Sequence, residues 1–256
     1  GYNDALPHID ADIYCLLNSD VEVTKDWLIP IIKEFKDRPL ASIVQPKILD
    51  YKNKTHFEYA GAAGGFIDKF GYPFCRGRIF NELETDNGQY NDVKEIFWAT
   101  GACLFIRKEV FQELNGFDED YFAHQEEIDL CWRAKNKGHK VYYVGASEVY
   151  HLGGSTLNSM NPKKTFLNFR NSLYSLVKNL PAGKVFPLVL LRLILDGLAG
   201  LNFLFQGRFK HFLAILQAHF SFYKNFLTMY NKREKAYITG DYYLIKSIVW
   251  AYYINH

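Results

Sequence analysis

The sequence predicts an α/β fold: a mixed, mainly parallel sheet with flanking helices, followed by an apolar helical region. Three observations predict it. Short apolar runs alternate with stretches of helical periodicity over residues 1–160, which is the pattern of βαβ units. Polar and acidic side chains gather where such runs end, as at Asn18-Ser19-Asp20. From residue 161 the strand signal stops and long apolar stretches with helical spacing take over. The expected division is an α/β domain over 1–160 and a helical tail over 161–256.

The first strand is expected in residues 12–20, an apolar run too short for a helix that ends in Asn18 and Asp20. Open α/β sheets bind ligands at the carboxyl ends of their strands. An Asp placed there can hold a hard divalent cation. The competing reading makes Asp20 a loop residue ahead of a helix over 27–36, begun by Thr24 or Asp26. That helix would place Leu28, Ile31, Ile32 and Phe35 on one face. Residues 41–45 read as a strand stopped by Pro46. Residues 51–95, rich in Gly, Asn and aromatics, read as a hairpin plus an excursion. Strands are expected over 95–98 and 103–107, helices over 108–114 and 125–137. A strand over 140–144 and a short second one complete the domain.

The helix after residue 124 carries the densest charge: His124-Gln125-Glu126-Glu127-Ile128-Asp129-Leu130-Cys131-Trp132-Arg133. Spacings of three and four put Glu126, Asp129 and Arg133 on one face. Glu127 points elsewhere, towards the positive helix start, which favours an ionised acid. A carboxylate held there can serve as a general base. The plainer reading is a solvated helix start with an Asp129–Arg133 pair. In Val149-Tyr150-His151-Leu152-Gly153-Gly154-Ser155, a His beside two glycines leaves room for a phosphate or metal near backbone. The plainer reading is a surface histidine.

In the tail, residues 162–179 form a helix with Phe166, Phe169, Leu173, Leu176 and Val177 as an apolar stripe. Residues 185–205 are apolar across 21 positions, interrupted by Arg192, Asp196 and Asn202. That length can span a bilayer. Two central charges oppose it at about 2.5–3.5 kcal/mol each, although their i,i+4 spacing lets them pair. Gly207-Arg208 breaks the run and an aromatic-rich helix follows over 209–230. The expectation is a helical hairpin in or on the inner leaflet, and the alternative is a buried helical subdomain.

Hydrophobic residues make up 48% and aromatics 17% of the 256 residues, enough for a packed core rather than disorder. A net charge of +2 gives no case for nucleic acid. From Pro181 onward nine Lys/Arg stand against three Asp/Glu, a bias that suits an anionic membrane surface. Cys15, Cys75, Cys103 and Cys131 form no CxxC pair. They read as small buried hydrophobes in a reducing compartment. Adjacent Glu126-Glu127 do not suit a glycosidase, whose two carboxylates flank one bond.

The order LLNSDVEV, WATGACLFIRKEVFQELNGFDEDYF, EEIDLCWR and YHLGGST resembles family 2 glycosyltransferases of the GT-A fold. The likeness is to bacterial enzymes of surface-polysaccharide synthesis, the rhamnosyltransferase-like group, over roughly residues 1–180. It implies inverting transfer from a nucleotide-sugar donor to a hydroxyl of a saccharide or lipid-linked saccharide, with Mg or Mn as cofactor. Asp20 would hold that metal, with Asn18 where the family's DxD motif begins. Glu126-Glu127 matches the Glu-Asp pair whose second member is the base. His151 would join the metal and diphosphate site. Trp98 and Gly101-Ala102 would line the sugar and acceptor pocket, with Asp129 and Arg133 among the binding residues. Gly1-Tyr2-Asn3-Asp4-Ala5 resembles a later nucleotide-site segment, GGxNxA, which makes Asn3 a donor-side residue. The resemblance implies a preceding nucleotide-binding segment and little activity from these residues alone. It also implies a cytoplasmic protein at the inner face of the cell membrane. Two other classes remain: a glycan-binding module stacking sugars on Trp98, Phe97 and Tyr59, and a membrane scaffold.

Overall fold

The computed structural model describes residues 1–153, 161–234 and 241–254. Gly154 and Ser155 of the His151 motif lie outside them, as do parts of the final segment. Helix α1 (Tyr2–Ala5) and a 3₁₀ turn (Leu6–His8) precede strands β1 (Ile13–Leu17) and β2 (Val21–Val23). Helix α2 (Leu28–Asp37) leads to β3 (Ala41–Asp50), then to β4 (Gly65–Ile67), β5 (Pro73–Cys75), β6 (Arg78–Ile79) and β7 (Glu82–Leu83). Strands β8 (Val93–Ile96) and β9 (Cys103–Arg107) follow, then α3 (Lys108–Glu113), a 3₁₀ turn (Glu119–Tyr121), α4 (Glu126–Asn136) and β10 (Lys140–His151). Helices α5 (Pro162–Asn179), α6 (Ala182–Phe205), α7 (Phe209–Asn231) and α8 (Ile248–Ile254) complete the order.

The chain forms two compact units. One comprises residues 1–117, 130–155 and 237–256, the other residues 118–129 and 156–236. The division falls inside α4.

The first unit holds a mixed sheet in the order β1-β9-β3-β10-β2, with β8 also on β10. Strands β1, β3 and β10 run in one direction, as the strand–helix alternation predicts. The sheet is nevertheless not mainly parallel. Strand β9 lies between β1 and β3, antiparallel to both, and β2 and β8 are antiparallel to β10. Only the β3–β10 ladder is parallel among the described strands. Ile31 and Phe35 of α2 pack with Val44, Ile48, Phe105, Val144 and Val149 as the core of this sheet. Leu28 and Ile32 are exposed instead, so the buried face of α2 is narrower than its apolar spacing suggests. Neither Thr24 nor Asp26 caps α2: its N-cap is Trp27, and the Thr24 hydroxyl donates to the Glu148 carbonyl at 2.8 Å.

Pro46 does not stop β3. It lies opposite Val144, and the register then jumps so that Lys47 faces Glu148. The missing proline N–H therefore falls where β10 bulges. Cys15 is exposed, unlike the other three cysteines, because β1 is an edge strand that alternates Tyr14 and Leu16 inward. Residues 51–95, where a hairpin plus an excursion is expected, build a second, antiparallel sheet of four short strands, β4 to β7.

The second unit is helical. Helices α5 and α7 run in parallel: Thr165 Oγ1 meets His211 Nδ1 at 2.8 Å, and Tyr174 packs on Phe222 further along. Helix α6 carries the expected pair, with Arg192 Nε donating to Asp196 Oδ1 at 2.8 Å and Arg192 Nη2 donating to Ser172 Oγ at 2.7 Å. Both charges are buried within the unit. The opposite faces of α6 and α7 expose Phe186, Leu190, Ile194, Leu198, Phe220 and Leu227.

Candidate functional site

In the first unit the carboxyl ends of the co-directional strands gather the expected polar residues. The last residues of β10 are paired on both sides: His151 faces Asp50 of β3 and Val21 of β2. The Leu152 N–H donates to the Asp20 carbonyl at 3.0 Å, and Tyr51 N–H donates to that of His151 at 3.0 Å. This backbone registry brings Asp20 to His151 across 130 residues of sequence. Asp20 Oδ1 lies 3.3 Å from His151 Nε2.

Glu58 closes the other side. Its Oε1 is 3.5 Å from His151 Nδ1, a buried ring nitrogen with no closer polar partner among the described residues. Burial alone would lower the His151 pKa, but the Glu58 and Asp20 carboxylates outweigh it and raise it. A carboxylate behind an imidazole fixes which nitrogen faces a ligand. No sequence motif marks Glu58. The one hint is Gly153, whose φ is +62° and whose absent Cβ would sit 2.8 Å from Glu58 Oε1. Gly153→Ala should lower unfolding stability by about 1–3 kcal/mol through backbone strain and push Glu58 from His151. Denaturant unfolding checks this, and an unchanged midpoint would contradict it.

Among the described residues no cluster of three or more His, Cys, Asp or Glu side chains is arranged to hold a metal ion. What the site offers is one carboxylate and one imidazole. The carboxylate fits an ion that keeps several waters and takes its remaining oxygens from substrate phosphates, and the imidazole nitrogen makes the pair suit a transition-metal ion such as Mn²⁺ better than Mg²⁺.

The remaining residues of this unit have mixed placements. The Asn18 N–H donates to the Ala102 carbonyl at 3.0 Å, which continues the β1–β9 ladder. The Gly101 Cβ position is open space. Trp98 is buried flat against Gly65, and its Nε1 donates to the Phe66 carbonyl at 2.9 Å. With Phe97 buried too, neither ring offers a face for stacking sugars. The Asn3 amide is engaged with backbone: Nδ2 donates to the Phe117 carbonyl at 2.8 Å, and Oδ1 accepts from the Phe117 N–H at 2.9 Å. Arg133 donates to the carbonyls of Leu114 and Gly116 at 2.6 and 2.9 Å. Asn3 and Arg133 thus both secure the segment that ends in Gly116-Phe117.

In the second unit Glu126 and Glu127 open α4. Both are partly buried. Burial raises the pKa of Glu126. Burial, then the adjacent Glu126 charge, pushes Glu127 up to about 8, against backbone N–H groups that favour its ionised form. Glu126 Oε2 and His124 Nε2 are buried without hydrogen-bond partners among the described residues. Asp129 behaves differently. Its carboxylate is fully buried and accepts from Tyr121 OH at 3.1 Å, Lys178 Nζ at 2.9 Å and Asn179 Nδ2 at 2.9 Å. Two of these partners, Lys178 and Asn179, lie 49 and 50 residues further on in sequence.

Residues 1–166 match the family described as "Glycosyltransferase like family 2". The rhamnosyltransferase WbbL of Escherichia coli is 28% identical over 142 residues, 56% of this chain and 53% of that protein. The N-acetylglucosaminyl-diphospho-decaprenol L-rhamnosyltransferase of Mycobacterium tuberculosis is 38% identical over 58 residues, 23% of this chain and 19% of that protein. The low-salt glycan biosynthesis hexosyltransferase Agl10 of Haloferax volcanii is 22% identical over 172 residues, 67% of this chain and 52% of that protein. The chain spans about half the length, or less, of these relatives. Since the family match covers well over half of its residues, the chain belongs to the glycosyltransferase-like family 2.

Proposed function

We propose that this chain forms part of an inverting glycosyltransferase of cell-surface polysaccharide synthesis. In this reading a nucleotide-sugar supplies the glycosyl group, and a hydroxyl of a saccharide or lipid-linked saccharide accepts it. The observation that carries the reading is the meeting of Asp20 and His151 at 3.3 Å at the carboxyl ends of the parallel-running strands. The names of the relatives, rhamnosyl- and hexosyltransferases, support it.

Asp20 and His151 are the residues that would hold a divalent cation, with Glu58 orienting the imidazole. When bound, such an ion offsets charge on a departing diphosphate. Glu127 takes the proton of the acceptor hydroxyl. A base whose pKa is raised towards neutrality is matched to that task, because it is both available as the anion and basic enough to take the proton. Asn18 and Ala102 form the adjoining wall.

The test is nucleotide binding by the full protein, read calorimetrically with UDP and dTDP, with and without Mn²⁺. Asp20→Ala should weaken the Mn²⁺-dependent part at least about tenfold, the lower end of what ligand-shell changes cost. Equal affinity in the two proteins would remove Asp20 from the metal role.

We also infer contact with a membrane surface. The support is the exposed apolar face of α6 and α7, where Phe205 and Phe220 are 87% and 73% exposed, together with the basic bias of the tail. Monomeric soluble surfaces rarely carry so continuous an apolar face. Helix α6 is also long and apolar enough to cross a membrane by length and composition. Its buried Arg192–Asp196 pair keeps the charges off that face, as a lipid-facing helix requires. The protein should sediment with vesicles containing anionic lipid and release partly at high salt. A Phe205→Glu/Phe220→Glu variant should stay in the supernatant. Wild-type protein that ignores vesicles of every composition would leave only a helical subdomain. Truncating everything after residue 181 is the wrong test, because the last segment belongs to the first unit: Tyr242 stacks on Trp132, and the Ile248 N–H donates to Asp68 Oδ2 at 3.0 Å.

A further inference from the structure

The backbone ahead of the acid pair is unusual. Phe122, His124 and Gln125 have φ of 63°, 67° and 68°, a left-handed conformation that non-glycine residues avoid. Such strain costs on the order of 1–3 kcal/mol per residue and persists only where the surroundings over-determine it. Here the surroundings are one face of α5. The fully buried Asn171 directs its Nδ2 at three carbonyls of this loop: Tyr121 at 3.0 Å, Ala123 at 2.9 Å and His124 at 2.7 Å. Arg170 Nη2 donates to the carbonyls of Asp120 and Tyr121, each at 3.0 Å. Arg170 Nε donates to Asn171 Oδ1 at 2.9 Å, which fixes the direction in which the amide points. The guanidinium lies between the rings of Phe166 and Tyr174, about 5 Å from each. Gln125 Nε2 donates to the Asn168 carbonyl at 3.1 Å. The next backbone bond, Asp129 N–H to the Gln125 carbonyl at 3.0 Å, begins α4 and with it Glu126 and Glu127.

We propose that Asn171, oriented by Arg170, is a positioning residue for the acid pair: it holds residues 121–125 in the strained path that sets Glu127 at the start of α4. This rests on the reading of Glu127 as the base. An amide with two N–H groups serving three carbonyls does more than satisfy a buried side chain. It selects a loop conformation that the loop's own residues disfavour. Among the described residues the brace rests on backbone carbonyls and the Asn171 amide oxygen, so it is a hydrogen-bond device rather than a salt bridge.

The test is the titration of the Glu127 carboxyl, followed by carbon-13 NMR in the full protein, with Glu127→Gln assigning the signal. The titratable group acting on it is Glu126, and His124, on which Lys164 acts, lies three residues ahead of it in the chain. Asn171→Ala should move the midpoint down by about one pH unit or more, because a relaxed loop lets water reach the pair and weakens the desolvation that raises it. Arg170→Ala should move it in the same direction by less. Leu173→Ala, a buried core change on the same helix, should lower the melting temperature without moving the midpoint. An unmoved midpoint in Asn171→Ala, or an equal shift in Leu173→Ala, overturns the proposal. If Asn171→Ala does not fold, Arg170→Ala decides in the same way. Undiminished sugar transfer by Glu127→Gln would instead remove the base reading and leave the positioning result standing.

Discussion

Glu127→Gln should leave the fold and nucleotide binding in place and lower turnover by about 10²–10⁴, the usual contribution of general acid–base catalysis. The amide keeps the shape of the side chain and cannot take a proton. Glu126→Gln should cost less, because in this reading Glu126 acts through its charge on Glu127. The wild-type pH profile should share the same origin. Glu127 works as the anion, and its pKa is pushed up to about 8, so turnover should climb as pH rises towards that value. The sign for stability is the reverse. A carboxyl whose folded pKa is raised contributes stability that is complete below its unfolded value, near 4.5, and is lost as pH rises through the folded value. Glu127→Gln should therefore gain stability relative to wild type across that interval. Kinetics and denaturant unfolding over one pH series check both halves. A larger loss in Glu126→Gln than in Glu127→Gln would transfer the role to Glu126.

Legibility in the sequence followed the range of the interaction. Asp20, His151 and the acid pair stand out in the sequence because each sits in a local pattern (a strand end, a Gly-flanked His, a charged helix start), and the structure brings the first two together. The Arg192–Asp196 pair was visible because i,i+4 neighbours meet on any helix. Helices α5, α6 and α7 were readable from apolar spacing. The insertion of β9 between β1 and β3 was not, because strand alternation gives direction but not lateral order. Pro46 misled because its cost depends on the partner strand, and only the bulge in β10 removes it. Glu58 had no motif at all: its role exists only once β3 and the loop after it bring it behind His151. Asn171 carries no sequence signal, because its three acceptors are backbone carbonyls nearly fifty residues earlier. Trp98 and Phe97 looked like stacking surfaces, and only their burial decides otherwise.

Asp129 takes partners that no local sequence pattern marks. The structure gives Asp129 to Lys178, whose Nζ also meets Asp118 Oδ2 at 2.6 Å, and Lys232 reaches Asp118 Oδ1 at 2.6 Å from α7's end. Burial would raise the pKa of Asp118, but Lys178 and then Lys232 outweigh it and hold it low. Lys178 is thus a buried cation between two acids, and Tyr121, Ser175 and Asn179 complete the network. Removing one partner of a buried pair leaves an uncompensated charge, which costs about 3–5 kcal/mol. Lys178→Met should lose stability of that order at neutral pH. The loss should shrink on acidification, because protonation of the buried carboxyl removes the charge that the lysine had balanced. Adding Asp129→Asn to Lys178→Met should restore part of the stability at neutral pH, since the buried charge is then gone. Denaturant unfolding at pH 7 and pH 4 reads all three states. A deficit under about 1 kcal/mol at pH 7, the range of exposed pairs, would mean that water already reaches this network and that Asp129 is free for another role.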